Sequence, residues 1–427
     1  MVFLASRSVL IAERFVSTAP KLRIAIVSAF YSEGMGYSEN CLPKALVGLG
    51  HEVHVVASTY NVYGNEPLYD ETYRDFLGPR ELAPDVTSVD GYRVHRLAAN
   101  LVSGYVSMKG LLATIRALSP HIVHSLEIAS LQTFALAMQK PFARYKLFCE
   151  THQTMSVLKP YMKQAKGAWL KKAAYRMTRT LPTYLASLAV ERCYAVTPDC
   201  GEVATRFYGV PRSKLRLLSL GTDTDLFHPA ESVSDRGARR ELRERLRFTD
   251  EDIVCIYTGR FSRDKHPLLL ARAIDALSDT DPRFKGLFVG AGIQRDEIAA
   301  CRNTTIVPFM THQRLAQHYR ASDIAVWPRQ ESMSMLDAAS SGLPLVVSNK
   351  IGEPQRMSGN GKVYEENTVA SLRDVLRSFA NAEERRSYGT AGRRKMLEGF
   401  SWTRFARTVE SDFVGALTAD GQESREK

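Results

Sequence analysis

The stretch that decides the fold begins at Ile324, reads IAVWPRQESMSMLDAASSGLPLVV and ends at Val347. Its apolar start stops at Pro328, which is typical of a buried strand that ends at a proline. Ser334 is followed three residues later by Asp337, the spacing of a capping box, so we predict a helix that begins near Ser334. The glycine and proline that follow end this helix, and the last apolar residues start another strand.

A carboxylate-bearing loop therefore lies between a strand and a helix. Ligands of parallel α/β sheets bind at the carboxyl ends of the strands, which is where the sequence places Glu331. The backbone N–H groups of residues 332–335 would form a helix N-terminus suited to phosphate.

This run resembles the donor-sugar motif of the family 4 retaining glycosyltransferases, which have a two-domain GT-B fold. That family has two glutamates separated by seven residues, whereas here Asp337 takes the second place and five residues separate it from Glu331. The resemblance implies that Glu331 holds the hydroxyls of the donor sugar and that Asp337 holds the ribose. It also places Ser334 and Met335 in the donor-binding site.

The composition suits a soluble globular protein with two domains. The chain has 427 residues, of which 44% are hydrophobic and 24% are charged, and this length exceeds one ordinary core. The net charge of +11 favours anionic partners. No apolar run approaches the length that a membrane-spanning helix needs. The six cysteines are scattered, without a Cys-x-x-Cys pair, which predicts reduced thiols in a cytoplasmic protein.

A glycine-containing turn follows the first predicted strand, residues 22–28. Gly34 and Gly36 precede a helix predicted over residues 38–49, and a second strand follows over 53–57. A simple tight turn explains the glycines equally well, but a βαβ start also lets the backbone approach a phosphate or sugar closely. In the resembling family this loop lies at the reacting face, which Gly36 would line.

His152 directly follows another predicted strand, residues 146–151. On its own this histidine would more simply cap a strand within a polar pocket. The resemblance instead implies that His152 lies beside the donor sugar and the acceptor.

Arg260 and Lys265 lie between the end of a predicted strand, residues 253–257, and a following helix. An arginine fork and a lysine point charge at such a position fit a diphosphate, although a basic surface loop gives the same pattern. The resembling family uses an arginine and a lysine at this place for the diphosphate of the donor.

Residues 160–179 contain six lysines and arginines interleaved with aromatic residues. A solvated charged helix and contact with an anionic membrane surface explain this pattern equally well. A nucleic-acid site is disfavoured, because no neighbouring segment resembles a nucleic-acid-binding module.

Asp223 and Asp225 form an Asp-x-Asp pair of the kind that binds a divalent cation in the single-domain GT-A glycosyltransferases. We predict that they bind no metal, because a cation needs several converging oxygen ligands and Arg260 and Lys265 already supply positive charge. Asp223 should instead cap the backbone where the chain crosses between its two halves.

The fold prediction is an α/β protein of GT-B type, with two doubly wound Rossmann-like domains that face each other across a cleft. We expect a disordered extension over residues 1–20, an acceptor-side domain over 21–220, and a nucleotide-sugar-binding domain over 221–400. Residues 401–427 would form a helix that crosses back to the first domain and ends in a frayed tail.

The predicted activity is the retaining transfer of a sugar from a UDP- or GDP-sugar to an acceptor hydroxyl, with no metal or other cofactor. The expected partners are the nucleotide-sugar donor, a glycan or lipid-linked acceptor of cell-surface polysaccharide or glycolipid synthesis, and an anionic membrane surface, with no nucleic acid. The expected location is the cytoplasm, with peripheral attachment to the inner face of the membrane. The alternatives are a nucleotide-sugar epimerase of the same architecture and a non-catalytic partner subunit.

Overall fold

The computed structural model describes residues 20–67, 69–102, 105–155, 173–351 and 356–423. The predicted disordered extension lies outside the described residues, except for its last residue. Residues 160–172 of the basic segment also lie outside them.

An eight-stranded sheet forms the core of the N-terminal half, in the order β10-β9-β8-β7-β1-β2-β4-β3. Ile24 and Ile26 of β1 pack into one apolar cluster, and Ala25 and Val27 pack into another. Both faces of the sheet are therefore covered, as in a doubly wound domain. Its strands are β1 Arg23–Ser28, β2 Glu52–Ser58, β3 Val86–Val89, β4 Tyr92–Leu97, β7 Ile122–Ser125, β8 Lys146–Thr151, β9 Arg192–Ala195 and β10 Leu215–Leu217; a separate ribbon pairs β5 Ala99–Val102 with β6 Tyr105–Met108.

A hairpin joins β3 to β4, and β3 is the antiparallel strand of this sheet. Asp90 has a φ of 46° and Gly91 a φ of 86°. Two consecutive residues in the left-handed region form the tight turn that suits the twist of a hairpin. From the sequence, an Asp-Gly pair between residues 86–89 and 92–97 predicts a hairpin, and this prediction is confirmed.

A six-stranded parallel sheet forms the core of the C-terminal half, in the order β13-β12-β11-β14-β15-β16. Strands β11, β14 and β15 are buried along their whole length, which explains their continuous apolar sequence. The strands are β11 Ile253–Thr258, β12 Phe284–Val289, β13 Thr304–Val307, β14 Ile324–Trp327, β15 Leu345–Ser348 and β16 Gly361–Tyr364.

Helices alternate with the strands in both halves, so the prediction of two parallel α/β sheets is confirmed. The helices span Ser38–Gly48, Tyr69–Thr72, Arg74–Leu77, Leu111–Leu118, Leu131–Gln139, Leu181–Ala189, Pro198–Glu202, Val233–Arg245, Leu268–Leu277, Arg295–Ala299, His312–Ala321, Ser334–Ser340, Val369–Ser378, Ala382–Gly399 and Trp402–Glu423.

The chain passes between the two halves at two points that lie side by side. The Thr222 N–H donates to the Phe400 carbonyl at 2.8 Å, and the Trp402 N–H donates to the Thr222 carbonyl at 3.1 Å. A Cβ on Gly221 would lie 2.4 Å from the Ser401 carbonyl carbon, so only glycine fits there. The last helix then packs on the N-terminal sheet, where Phe405, Val409 and Phe413 are buried.

Candidate active site

A cavity of ≈ 320 Å³ lies between the two halves. The N-terminal half contributes the glycine loop with Gly36, which follows β1. The C-terminal half contributes Arg260 and Lys265, which follow β11, and Ser334 and Asp337, which begin the helix after β14. Five of the eight predicted site residues therefore line one cavity, at the carboxyl ends of parallel strands.

The two cations of this cavity come from the loop after β11. The Lys265 Nζ donates to the Glu331 carbonyl at 2.9 Å and so ties this loop to the one after β14. Burial lowers the pKa of Lys265 below its ordinary value. The Arg260 guanidinium is about half exposed and lies 3.8 Å from the Asp264 carboxylate. Both side chains can donate hydrogen bonds to an anionic group in the cavity.

Gly36 allows the two halves to approach each other closely. Its φ is +69°, and an added Cβ would lie 1.6 Å from Cε1 of His312, which belongs to the C-terminal half. The His312 N–H donates to the Gly34 carbonyl at 2.9 Å, and its Nε2 lies 3.6 Å from Oδ2 of Asp337. The glycine loop therefore contacts the opposite half directly. The sequence did not single out His312.

A second cavity, of ≈ 490 Å³, extends from the first into the N-terminal half. His152 lines it, together with the side chains of Glu39 and Glu127. The two cavities have three lining residues in common, so they meet at one place: Gly36, Tyr37 and Met333.

His152 belongs to a row of titratable side chains in which Glu150 and His124 are fully buried. Nε2 of His152 lies 2.8 Å from one oxygen of Glu150, and Nε2 of His124 lies 2.8 Å from the other. Burial alone would raise the pKa of Glu150, but its bonds to the two histidines outweigh burial and lower the pKa to about 2. Burial alone would lower the pKa of His152, but Glu150, Glu127 and Glu39 together raise it.

Two carboxylates near His152, the buried Glu39 and the half-buried Glu127, were not predicted from the sequence. Burial raises the pKa of Glu39 to about 7 and also raises the pKa of Glu127. Glu127 accepts the Ala129 and His152 N–H groups at 3.0 and 3.1 Å. Glu39 lies three residues after Gly36, in the first turn of a helix. The helix dipole stabilises a carboxylate at this position, so Glu39 could have been predicted as part of the site. Glu127 follows β7 at the same edge of the sheet.

Two family models match the chain. The model described as Glycosyltransferase Family 4 matches residues 42–226, and the model described as Glycosyl transferases group 1 matches residues 238–395. The chain belongs to the family 4 glycosyltransferases. None of the helices in the described part of this glycosyltransferase is long and apolar enough to cross a membrane.

Curated relatives share parts of the sequence. The spore coat protein SA of Bacillus subtilis is 24% identical over 250 residues, which are 52% of this chain and 64% of that protein. A D-inositol 3-phosphate glycosyltransferase of Geodermatophilus obscurus is 29% identical over 254 residues, which are 55% of this chain and 53% of that protein. The glycosyltransferase thus matches roughly half to two thirds of the length of these relatives.

Solved structures share the fold. Sucrose-phosphate synthase from Thermosynechococcus elongatus has a TM-score of 0.65 at 18% identity. The match covers 93% of this chain and 100% of the synthase chain. Anabaena HepE, solved with UDP and glucose, has a TM-score of 0.63 at 14% identity, and covers 92% of this chain and 99% of its own. The predicted GT-B fold is confirmed.

The structure does not bring Glu331 and Met335 into the cavity in the way that the resemblance implied. The Glu331 carboxylate lies 3.7 Å from Nη1 of Arg356, and Glu331 lines neither of the two cavities described above. The ion pair with the buried Arg356 gives a physical reason for this position. The Met335 side chain is buried in the core of the C-terminal half, which leaves only its backbone for a donor contact.

The predicted capping box is wrong. The helix Ser334–Ser340 has no side-chain hydrogen bond at its N-cap, Met333. Oδ1 of Asp337 instead accepts from the Thr222 hydroxyl at 2.7 Å. Burial raises the pKa of Asp337 above its ordinary value.

The predicted capping role of Asp223 is confirmed. Its Oδ1 accepts the N–H groups of Asp225 and Leu226 at 3.2 and 3.1 Å, and its Oδ2 accepts from Nζ of Lys44 at 2.6 Å. The carboxylate thus binds the crossing segment and joins it to the helix that follows the glycine loop.

Proposed function

We propose that this glycosyltransferase moves a sugar from a UDP- or GDP-sugar to an acceptor hydroxyl, with retention at the anomeric carbon. The observation that carries the proposal is the meeting of two chemically different cavities at Gly36 and Met333. Arg260 and Lys265 suit the diphosphate of a donor, whereas the carboxylates and histidine of the second cavity suit the hydroxyls of an acceptor.

The transfer develops negative charge on the oxygen that leaves with the nucleoside diphosphate. Arg260 and Lys265 stabilise this charge in our proposal, so that no metal ion is needed. This assignment leaves Asp223 structural, in agreement with its contacts to Lys44 and to the crossing backbone. His152 then lies on the acceptor side of the junction, within reach of both substrates.

Known proteins of related sequence or fold support this division of roles. The solved HepE structures hold UDP, glucose or UDP-glucose, and the named relatives include D-inositol 3-phosphate glycosyltransferases. Inositol phosphates and sugars are both polyhydroxyl compounds, and Glu39, Glu127 and His152 of the second cavity can form hydrogen bonds with their hydroxyls.

We also propose that the acceptor is lipid-linked and that the enzyme attaches to an anionic membrane, as expected for cell-surface polysaccharide or glycolipid synthesis. The helix Leu181–Ala189 exposes four large apolar side chains at helical spacing: Leu181, Tyr184, Leu185 and Leu188. Its other face packs on the helix Leu131–Gln139. Arg179, just before this helix, lines the second cavity. A membrane at this exposed face would therefore lie beside the acceptor cavity.

Titration with UDP and GDP tests the donor site. Replacing Arg260 by alanine should weaken binding by about 1.5–3 kcal/mol, because a charge-assisted hydrogen bond is lost. The Arg263→Ala variant is the matched control: Arg263 is an exposed arginine of the same loop and does not line the cavity. Unchanged affinity in the Arg260→Ala variant would contradict the assignment of the diphosphate site.

A further inference from the structure

Aromatic side chains form one wall of the donor cavity. The rings are those of Tyr37, Tyr63, Tyr73 and Phe76 from the N-terminal half, and Phe309 from the C-terminal half. We call these five residues the aromatic wall. Tyr63, Tyr73 and Phe76 belong to the connection between β2 and β3.

The buried side chain of Asn61 holds the connection that carries three of these rings. Its Oδ1 accepts from the Ser32 hydroxyl at 2.8 Å, and its Nδ2 donates to the Leu77 and Pro79 carbonyls at 3.0 and 2.8 Å. The Val62 N–H also donates to the Ser32 hydroxyl, at 3.0 Å. These bonds hold the two ends of the segment together, so the rings are fixed in place before a ligand binds.

Tyr63 adopts an unfavourable backbone conformation to reach its place in the wall. Its φ is 64°, in the left-handed region that bulky residues seldom occupy. The Tyr63 hydroxyl bonds to that of Tyr37 at 2.5 Å, and its ring stacks on Tyr73 with centroids 4.5 Å apart. Such local strain persists where the surrounding structure imposes it, commonly at ligand sites.

Contacts between the rings lead from Tyr37, at the junction of the cavities, through Tyr63 and Tyr73 to Phe309. Tyr37 lines both cavities, whereas Tyr73, Phe76 and Phe309 line the donor cavity and not the second one. Tyr73 and Phe76 lie 6.1 and 6.2 Å from Phe309, centroid to centroid, across the cleft. In our proposal the sugar reacts at the junction and the diphosphate binds Arg260, which lies beside Tyr73. The nucleobase is the other end of the donor and would then reach Phe76 and Phe309.

We propose that Tyr73 and Phe76 of the N-terminal half, together with Phe309, form a stacking site for the flat base of the nucleoside diphosphate. Both halves then hold the nucleotide, and donor binding favours the closed cleft. The inference rests on the proposed function, and adds residues that the donor motif of the C-terminal half does not contain. Aromatic rings bind bases through their π-faces with little preference for sequence or base type.

Calorimetric titration with UDP, GDP and inorganic pyrophosphate tests this proposal in the full-length chain. The Phe76→Leu variant keeps an apolar side chain but removes the ring, and Tyr73→Leu does the same for its neighbour. Each should weaken UDP and GDP binding by at least about fivefold. Pyrophosphate has no base, so its affinity should stay unchanged in Phe76→Leu. Tyr73 lies beside Arg260, so the pyrophosphate comparison uses the Phe76→Leu variant.

The controls separate this inference from the proposed function. Phe142→Leu replaces a phenylalanine that is 91% exposed on the surface and should bind all three probes as the wild type does. Wild-type affinity for UDP and GDP in Phe76→Leu, or an equal loss of pyrophosphate binding, would overturn the stacking site alone. A wild-type protein that binds neither nucleotide would overturn the donor site itself.

Discussion

Glu150 illustrates how one side chain sets the electrostatics of the acceptor cavity. It is fully buried and lies between His124 and His152, whose imidazoles bond to its two oxygens. A buried carboxylate is costly unless hydrogen bonds and opposite charge compensate it. Here they do, and the low pKa of Glu150 and the raised pKa of His152 have the same origin. The pair fixes the orientation of the His152 ring at the cavity.

The raised pKa of His152 makes its contribution to stability depend on pH. Its pKa in the folded protein lies above the ordinary value of 6.5. The stabilisation is therefore complete below pH 6.5 and is lost as the pH rises through the folded-state pKa. Glu150 stays ionised throughout, because its pKa is about 2. We expect His152→Gln to reduce the free energy of unfolding more near pH 6 than near pH 9, as measured by urea denaturation.

His95 provides a control with the opposite sign. Burial and the neighbouring His54 lower its pKa, so the wild type loses stability from this residue as the pH falls. The cost of His95→Gln should therefore be smaller near pH 6 than near pH 9. An equal loss at both pH values in His152→Gln would contradict the charged pair.

At the scale of secondary-structure elements, the strands and turns that depend on local sequence patterns were predicted correctly. The apolar runs of β1, β8 and β14, and the Asp90-Gly91 turn, all lie where the sequence placed them, because burial on both faces and left-handed turn residues leave local signals. The predicted capping box does not form because Asp337 accepts a hydrogen bond from Thr222, which is 115 residues away in the sequence. The local spacing of residues does not reveal such a contact.

The candidate site was predictable only in part for the same reason. Arg260, Lys265 and His152 follow strands, and the topology alone brings such residues to one edge of each sheet. His312 meets Gly36 only because the two halves face each other, and the same arrangement brings Phe309 against Tyr73 and Phe76. The direction of the Glu331 side chain depends on Arg356, which loop length alone does not reveal.

The helix Leu181–Ala189 carries the prediction of membrane attachment. Leu181, Leu185 and Leu188 are 41%, 38% and 50% exposed. Burying leucine side chains in the headgroup boundary is favourable by about 1.5–3 kcal/mol each at most, and the adjoining basic residues add attraction to anionic lipid. We expect the triple replacement of these leucines by glutamate to reduce sedimentation with anionic liposomes at least tenfold.

Leu397 offers a matched control for that experiment. It is 49% exposed on the helix Ala382–Gly399. This helix belongs to the C-terminal half, whereas the acceptor cavity extends into the N-terminal half. Leu397→Glu should bind liposomes as the wild type does. Added salt should weaken binding, since charges are screened beyond about 8–10 Å. Wild-type binding by the triple variant would contradict docking through this helix.

At the scale of the whole molecule, the two halves are joined by the paired crossings at Thr222 and Ser401. Thr222 also bonds to Asp337, which lines the donor cavity. The crossing segment therefore contacts the donor site directly. Asp223 links this segment to Lys44, on the helix that follows the glycine loop. Gly221 of the crossing segment lines the donor cavity, so a ligand in this cavity would touch the segment that joins the two halves.

The configuration of the released sugar tests the central claim most directly. The enzyme is incubated with UDP- and GDP-sugars in excess chelator, with water as the acceptor, and the anomer formed first is followed by proton NMR before mutarotation. We expect slow release of the sugar in the same anomeric configuration as the donor, at a rate unaffected by the chelator and strongly reduced in the Arg260→Ala variant. Release of the opposite anomer, conversion of the donor into an epimeric nucleotide sugar, or a requirement for a divalent cation would contradict it.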